Sequence, residues 1–162
     1  MASLIRLLLA LPPTDLHALS ERWGITIGEE ERPLVAALYH EMTSEWPAKT
    51  VWSKLGPDER VVLEFVLNQR DYHASRHLLL HELPLDGRTL DQAVGVLSRW
   101  GLLGFRLGQH DYGFRAAPPA NGAVPWQAYV PTDLGRVLAV VRQQATQDGH
   151  STVTLRKMLI GR

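Results

Sequence analysis

The most informative segment of the chain, residues 86–117, reads DGRTLDQAVGVLSRWGLLGFRLGQHDYGFRAA. Its first part carries five apolar residues spaced so that they share one face of a helix: Leu90, Ala93, Val94, Leu97 and Trp100. Gly101 follows the last of them, where helices commonly exit through the left-handed conformation. The pattern predicts an amphipathic helix that ends near residue 100.

The second part of this segment predicts a β-hairpin. Apolar residues alternate with small or polar ones on both sides of a short polar turn at 108–111: Leu103, Phe105 and Leu107 before it, and Tyr112, Phe114 and Ala116 after it. A helix, a tight exit and two strands form a small unit with one apolar side. Other helices must cover that side.

Residues 1–45 predict a helical unit that precedes the hairpin segment. An apolar helix over 3–11 is ended by a pair of prolines, and a second helix with Leu16, Leu19 and Trp23 on one side stops at Gly24. An extended link at 25–27 then leads to a third helix with Leu34, Leu38 and Met42 facing inward.

The residues LPPTDLHALSERWGITI, followed by RPLVAAL, resemble the helix, extended loop and helix of SAP domains and of the N-terminal domain of Rho termination factor. Several members of those families bind nucleic acid. The basic residues that make those contacts are mostly absent here, because this segment is acidic. The resemblance therefore implies a fold for residues 1–45 more than a contact with nucleic acid.

Residues 46–117 follow the order of a winged helix. A link at 46–56 holds a short apolar turn, Pro57 and two acids open one helix, and Ser75 can cap another. The helix and hairpin of residues 86–117 complete the order of three helices and a two-stranded wing. The predicted fold is mainly α, of the α+β class, with a SAP-like start and a winged helix that carries a small antiparallel wing.

Residues 118–162 predict a loop, a C-terminal helix and a tail that pack on the winged helix. Prolines and Gly122 indicate the loop, and residues 126–130 can form a further strand. A helix capped by Thr132 or Asp133 should then run to about Gln147, followed by a turn at 148–151 and an extended piece at 152–154.

Two further stretches, WSKLGPDERVVLEFVL and LDQAVGVLSRWGLL, resemble the helicase-associated domain that accompanies XPB-type DNA helicases in bacteria. That domain joins a SAP-like start to a winged helix whose wing ends in an aromatic strand. The resemblance implies a DNA-binding accessory role beside a helicase. No phosphate-binding GxxxxGK[ST] loop occurs in the sequence, so the helicase motor is missing from it.

Composition limits the function classes. The chain has 162 residues, 17 basic and 17 acidic side chains and no cysteine. Zero net charge argues against a protein held mainly by phosphate attraction. Absence of cysteine excludes disulfides and thiolate metal sites and fits a cytoplasmic location. No apolar run is long enough to span a bilayer, so no membrane partner is expected.

No catalytic or metal-binding constellation emerges from the sequence. His73, His77 and His81 fall four apart and would share a helix face, but no HExxH motif accompanies them, and ordinary surface histidines are the better interpretation. Asp86 and Asp91 are better explained as acids near a helix start than as an acid/base pair. We therefore expect a protein that is not an enzyme and needs no cofactor, metal or small-molecule substrate.

The residues predicted to contact DNA lie on the exposed face of the third helix and on the wing: Arg88, Thr89, Gln92, Arg99, Arg106 and Arg115. Arginine and glutamine can read guanine and adenine edges in the major groove, and wing arginines can reach phosphates. The alternative is a winged helix that binds a helicase or another protein through the same face and does not bind DNA. Five tryptophans are a high count, and an exposed one would indicate a partner surface.

Overall fold

The structure, a computed structural model, describes the backbone of residues 3–25, 31–114 and 126–159 and the side chains of residues 3–25, 34–114 and 126–145. Within these ranges the chain is mainly helical with a small antiparallel sheet, an α+β fold, as predicted. Its elements in chain order are α1 (Leu4–Leu9), α2 (Pro13–Arg22), α3 (Glu31–Met42), α4 (Glu45–Lys54), α5 (Pro57–Asn68), β1 (His73–Ser75), α6 (Arg76–Glu82), α7 (Gly87–Arg99), β2 (Gly104–Leu107), β3 (His110–Gly113), β4 (Gln127–Tyr129) and α8 (Thr132–Leu159).

The N-terminal helices form where the apolar spacing predicted them. Leu4, Leu7 and Leu8 bury one side of α1, and α2 buries Leu16 and Leu19 before Gly24 ends it with a φ of +76°. On α3, the side chains of Leu34, Leu38 and Met42 are buried in the same core. The extended link predicted at 25–27 lies mostly outside the described residues, because only Ile25 belongs to them.

The segment between α3 and α5 is a helix, which corrects the predicted link and short turn at 46–56. α4 spans Glu45–Lys54 and buries Ala48, Val51 and Trp52. Pro47 falls in its first turn, where a missing N–H removes no intrahelical bond. The burial of one face therefore determines the conformation here, and the proline does not prevent it.

The winged-helix order predicted for the middle of the chain is present in its described part. α5, α6 and α7 are followed by the β2–β3 hairpin, and Leu90, Val94, Leu97 and Phe105 are buried in one core. Two local signals start the helices as expected, since Ser75 Oγ accepts the Leu78 N–H at 3.1 Å and an Asp86 oxygen accepts the Thr89 N–H at 2.7 Å. Gly101 leaves α7 with a φ of +71°.

The sheet has the strand order β1-β4-β2-β3, with every pair antiparallel. β4 corresponds to the strand predicted at 126–130, while the three-residue β1 was not predicted. The hairpin turn is shorter than expected, because Leu107 pairs with His110 and leaves only Gly108 and Gln109 between them. A register shift after Phe105 interrupts the alternation, and Tyr112 is exposed as a result.

The C-terminal helix is longer than the sequence indicates. α8 runs through Leu159, so the turn predicted at 148–151 and the extended piece at 152–154 are wrong. A single glycine costs a helix only about 1 kcal/mol relative to alanine, and extending an existing helix adds a hydrogen bond per residue. Gly149 therefore does not end it.

α8 packs mainly on α4 and also contacts α5 and α1. Asp133 joins three helices at its start: its Oδ1 accepts the Leu4 N–H at 3.2 Å and its Oδ2 accepts the Tyr39 hydroxyl at 3.1 Å. Burial, assisted by this hydrogen bond, raises the pKa of Tyr39. Within the described ranges, no helix has the length and apolar character needed to cross a membrane.

Candidate nucleic-acid interface

The exposed face of α7 carries a polar stripe made of Arg88, Gln92, Gly95 and Arg99. These positions recur every three or four residues, so they follow one line along the helix, opposite buried Leu90, Val94 and Leu97. Arg88, Gln92 and Arg99 are exposed, and the half-buried Thr89 lies beside them. No acidic residue stands on this line, so the stripe presents two positive charges and one amide.

The two acids nearest the stripe have partners of their own. Asp91 is half-buried and receives Nε and Nη2 of Arg76 at 3.1 and 3.2 Å, a bidentate pair that neutralises its charge. Asp86 caps α7, and its hydrogen bond from the Thr89 N–H lowers its pKa. Neither carboxylate projects from the stripe itself.

Arg106 occupies a different environment on the wing. Its Nη2 lies 3.9 Å from an Asp111 oxygen, its guanidinium lies 5.7 Å from the Tyr129 ring, and its side chain is 34% exposed. Asp111 is held in turn, because it accepts the Tyr129 hydroxyl at 2.6 Å and the Gly113 N–H at 2.9 Å. Burial raises the pKa of Tyr129, and the hydrogen bond from its hydroxyl to Asp111 raises it further. Arg106 is thus packed on the sheet surface.

The structure therefore brings four of the six predicted contact residues onto one helix and leaves one apart. Arg88, Thr89, Gln92 and Arg99 share α7, and Arg106 lies on β2. Arg115 lies outside the described residues.

A second group of cations, not predicted from the sequence, lies at the C-terminal end of α7. We call Arg22, Lys54 and Arg99 the basic cluster. Arg22 donates from Nη1 to the Arg99 carbonyl at 2.7 Å, and Lys54 Nζ lies 5.9 Å from the centre of the Trp100 ring. The contributing helices α2, α4 and α7 are distant in sequence, and no local motif signals that they meet.

A cleft of about 220 Å³ opens beside this cluster, between α2 and the end of α7. Buried Leu11, Leu19 and Phe114 line it together with the exposed side chains of Asp15, Arg22 and Arg99. Ser98 also lines it, and its hydroxyl donates to the Phe114 carbonyl at 3.2 Å. The lining of the cleft is therefore half apolar and half polar or charged.

The tryptophans divide into packed and exposed ones. Trp23, Trp52 and Trp126 are buried, and Trp100 is half-buried. The Trp23 indole N–H donates to the Trp100 carbonyl at 2.9 Å, which ties α2 to the end of α7. Trp46, in the first turn of α4, is 77% exposed, a burial state that the sequence did not distinguish from that of the other four.

The three histidines do not share one helix, which corrects the predicted arrangement. His73 lies in β1 and stacks on Tyr129, while His77 and His81 lie in α6. Separation onto two elements removes the common face on which a metal interpretation would rest. In the described part of the chain, no group of three or more histidine, aspartate or glutamate side chains could hold a metal ion.

Comparison with known proteins provides no further guide, because no family model, curated protein or solved structure matches the chain.

Proposed function

We propose that this protein is a non-enzymatic accessory domain, of the helicase-associated kind, that docks on duplex DNA through α7. The observation that carries the proposal is the stripe of Arg88, Gln92, Gly95 and Arg99, which is exposed along the helix and free of acidic residues. Neutralisation of Asp91 by Arg76 supports it, because an unpaired carboxylate beside the stripe would repel phosphates. Absence of cysteine accords with a cytoplasmic location.

The dimensions of the stripe fit a major groove. Arg88 and Arg99 stand eleven positions apart, about 16 Å along the helix axis, and the groove is about 12 Å wide. The two arginines can therefore reach phosphates on opposite sides of the groove while Gln92 faces base edges. Gly95 has open space where a side chain would begin, so the helix backbone can approach the groove closely at that point.

The expected affinity is modest. The chain has no net charge, and Arg106 is already engaged by Asp111 and Tyr129. Few phosphate contacts imply a shallow dependence of binding on salt.

The test is a fluorescence-anisotropy titration of mixed-sequence duplex DNA at about 50 mM and about 200 mM salt. Arg88→Ala and Arg99→Ala should each weaken binding and each reduce the slope of log K against log salt by about 0.9. Arg106→Ala should have a smaller effect, because its guanidinium is packed on the sheet. Arg136→Ala, an exposed arginine of α8, is the matched control and should leave binding unchanged. Wild-type protein without salt-sensitive binding would exclude the DNA function.

The alternative function, a protein-interaction module, is favoured by one observation. Trp46 is 77% exposed, and aromatic side chains of this size are typical anchors of protein interfaces. Under this alternative, Trp46→Ala should abolish capture of a protein partner, while Arg88→Ala and Arg99→Ala should have little effect on any weak binding to DNA. If Trp46→Ala captures the same proteins as the wild type and keeps the wild-type affinity for DNA, the alternative is excluded.

A further inference from the structure

The basic cluster lies at the C-terminal end of α7, the end of a helix that favours positive charge. At this end the carbonyls point outward and the helix dipole places about half a negative charge. An anion approaching this end of the helix would be repelled unless cations offset the carbonyls. Arg22, Lys54 and Arg99 supply those cations from three different helices.

We propose that the basic cluster grips the phosphate backbone on one side of the groove, so that the DNA-binding surface extends from the winged helix onto α2 and α4. The inference rests on the proposed function and deepens it. It assigns Arg22 and Lys54, which no sequence pattern indicated, as contacts to phosphates.

Capping of α7 alone does not account for the cluster. Arg22 uses Nη1 for the Arg99 carbonyl, and among the described residues its other guanidinium nitrogens have no hydrogen-bond or ion-pair partner. Lys54 is exposed and forms no ion pair with any residue in the described ranges. Asp15 lines the adjacent cleft, yet it forms no ion pair with Arg22 or Arg99 within the described part of the chain. The three cations thus keep donors available for a ligand.

The position of the cluster relative to the stripe determines the expected geometry. Arg99 belongs to both groups and stands at one end of the stripe, while Arg88 stands at the other. One strand would therefore meet three cations and the opposite strand would meet one. Arg22 is held beside Arg99 by its hydrogen bond, which limits the side-chain entropy lost on binding a phosphate.

The experiment measures DNA binding and stability on the same variants of the full chain: Arg22→Ala, Arg22→Lys and Lys54→Ala. Binding to mixed-sequence duplex DNA is titrated between about 50 mM and about 200 mM salt, and the free energy of unfolding is measured in urea. Each alanine variant should lose about 0.9 of the salt slope, so its affinity deficit should shrink about 3.5-fold across this salt range. Arg22→Lys should keep the wild-type slope because it keeps the charge.

The outcomes separate the two proposals. If Arg88→Ala weakens binding while Arg22→Ala and Lys54→Ala lower only the stability, the cluster is a helix cap, this inference is overturned and the proposed function stands. If wild-type protein does not bind DNA at low salt, both are overturned. Arg136→Ala again serves as the control for loss of one exposed positive charge.

Discussion

Gly135 of α8 lies against the ring of Tyr72, and replacing it with alanine would force α8 and Tyr72 apart. A methyl group at Gly135 would lie 2.6 Å from Cδ2 of Tyr72 and closer still to Cε2. The backbone of Tyr72 is held in place, because its carbonyl accepts the Val130 N–H at 3.0 Å and its own N–H donates to the Gln69 carbonyl at 3.2 Å, so the ring itself would have to rotate away. Overpacking of this kind costs about 1–3 kcal/mol.

A second glycine provides the control for the change in helix propensity. Gly95 lies within α7 on its exposed side, with nothing within 4 Å of the added carbon. Gly95→Ala should raise the free energy of unfolding by about 0.5–1 kcal/mol, because alanine loses less backbone entropy on folding. Gly135→Ala should gain the same amount from propensity and lose more from the clash, a net destabilisation of up to about 2 kcal/mol.

The assay is unfolding in urea, monitored by tryptophan fluorescence. The unfolding free energies of the two variants are compared if both depend on urea concentration with the same slope. The difference in stability between them, about 1–3 kcal/mol, isolates the steric effect of Tyr72. Adding Tyr72→Ala should remove most of the further penalty of Gly135→Ala, since the obstructing ring is then absent. A Gly135→Ala protein as stable as Gly95→Ala would refute this contact between α8 and the Tyr72 ring.

Two further predictions concern α7. Leu97→Ala should reduce the free energy of unfolding by about 2–5 kcal/mol because it empties a fully buried site, and a loss below about 0.5 kcal/mol would contradict the orientation of the helix. Asp86→Ala should destabilise the protein at neutral pH, because the carboxylate caps Thr89 and its pKa lies below the ordinary 3.8. That contribution is fully present above pH 3.8 and is lost as pH falls through the lower folded pKa, so the difference between wild type and Asp86→Ala should shrink in acid. A difference that stays constant over the acidic range would contradict it.

The predictions made from the spacing of apolar residues were right for helices and strands that bury one of their faces in the core. The spacing of Leu90, Val94 and Leu97 located α7, and Gly101 located its end. The same reasoning placed α5 and the hairpin strand that contains Phe105. In each case the information lies within about ten consecutive residues, because the helix and strand periods are properties of the backbone.

The same reasoning was wrong where a distant partner determines the conformation. β1 has only three residues, and it forms a strand because β4 pairs with it from more than fifty residues away. Residues 46–56 were predicted as a link with a short apolar turn, broken at Gly56, yet α4 forms there because α8 buries its apolar face. Local preference is weak, and packing against distant elements overrides it.

The features of the candidate site also fall into those set by local sequence and those set by contacts between distant residues. The sequence alone determined that Arg88, Gln92 and Arg99 share the outer face of one helix, because fixed helical geometry relates positions three, four and seven apart. Only the tertiary structure decided that Arg76 neutralises Asp91, that Asp111 and Tyr129 engage Arg106, and that Arg22 reaches the end of α7. Arg22 and Arg99 are 77 positions apart, so no periodicity relates them, and they meet only because burial of the core docks α2 against the end of α7.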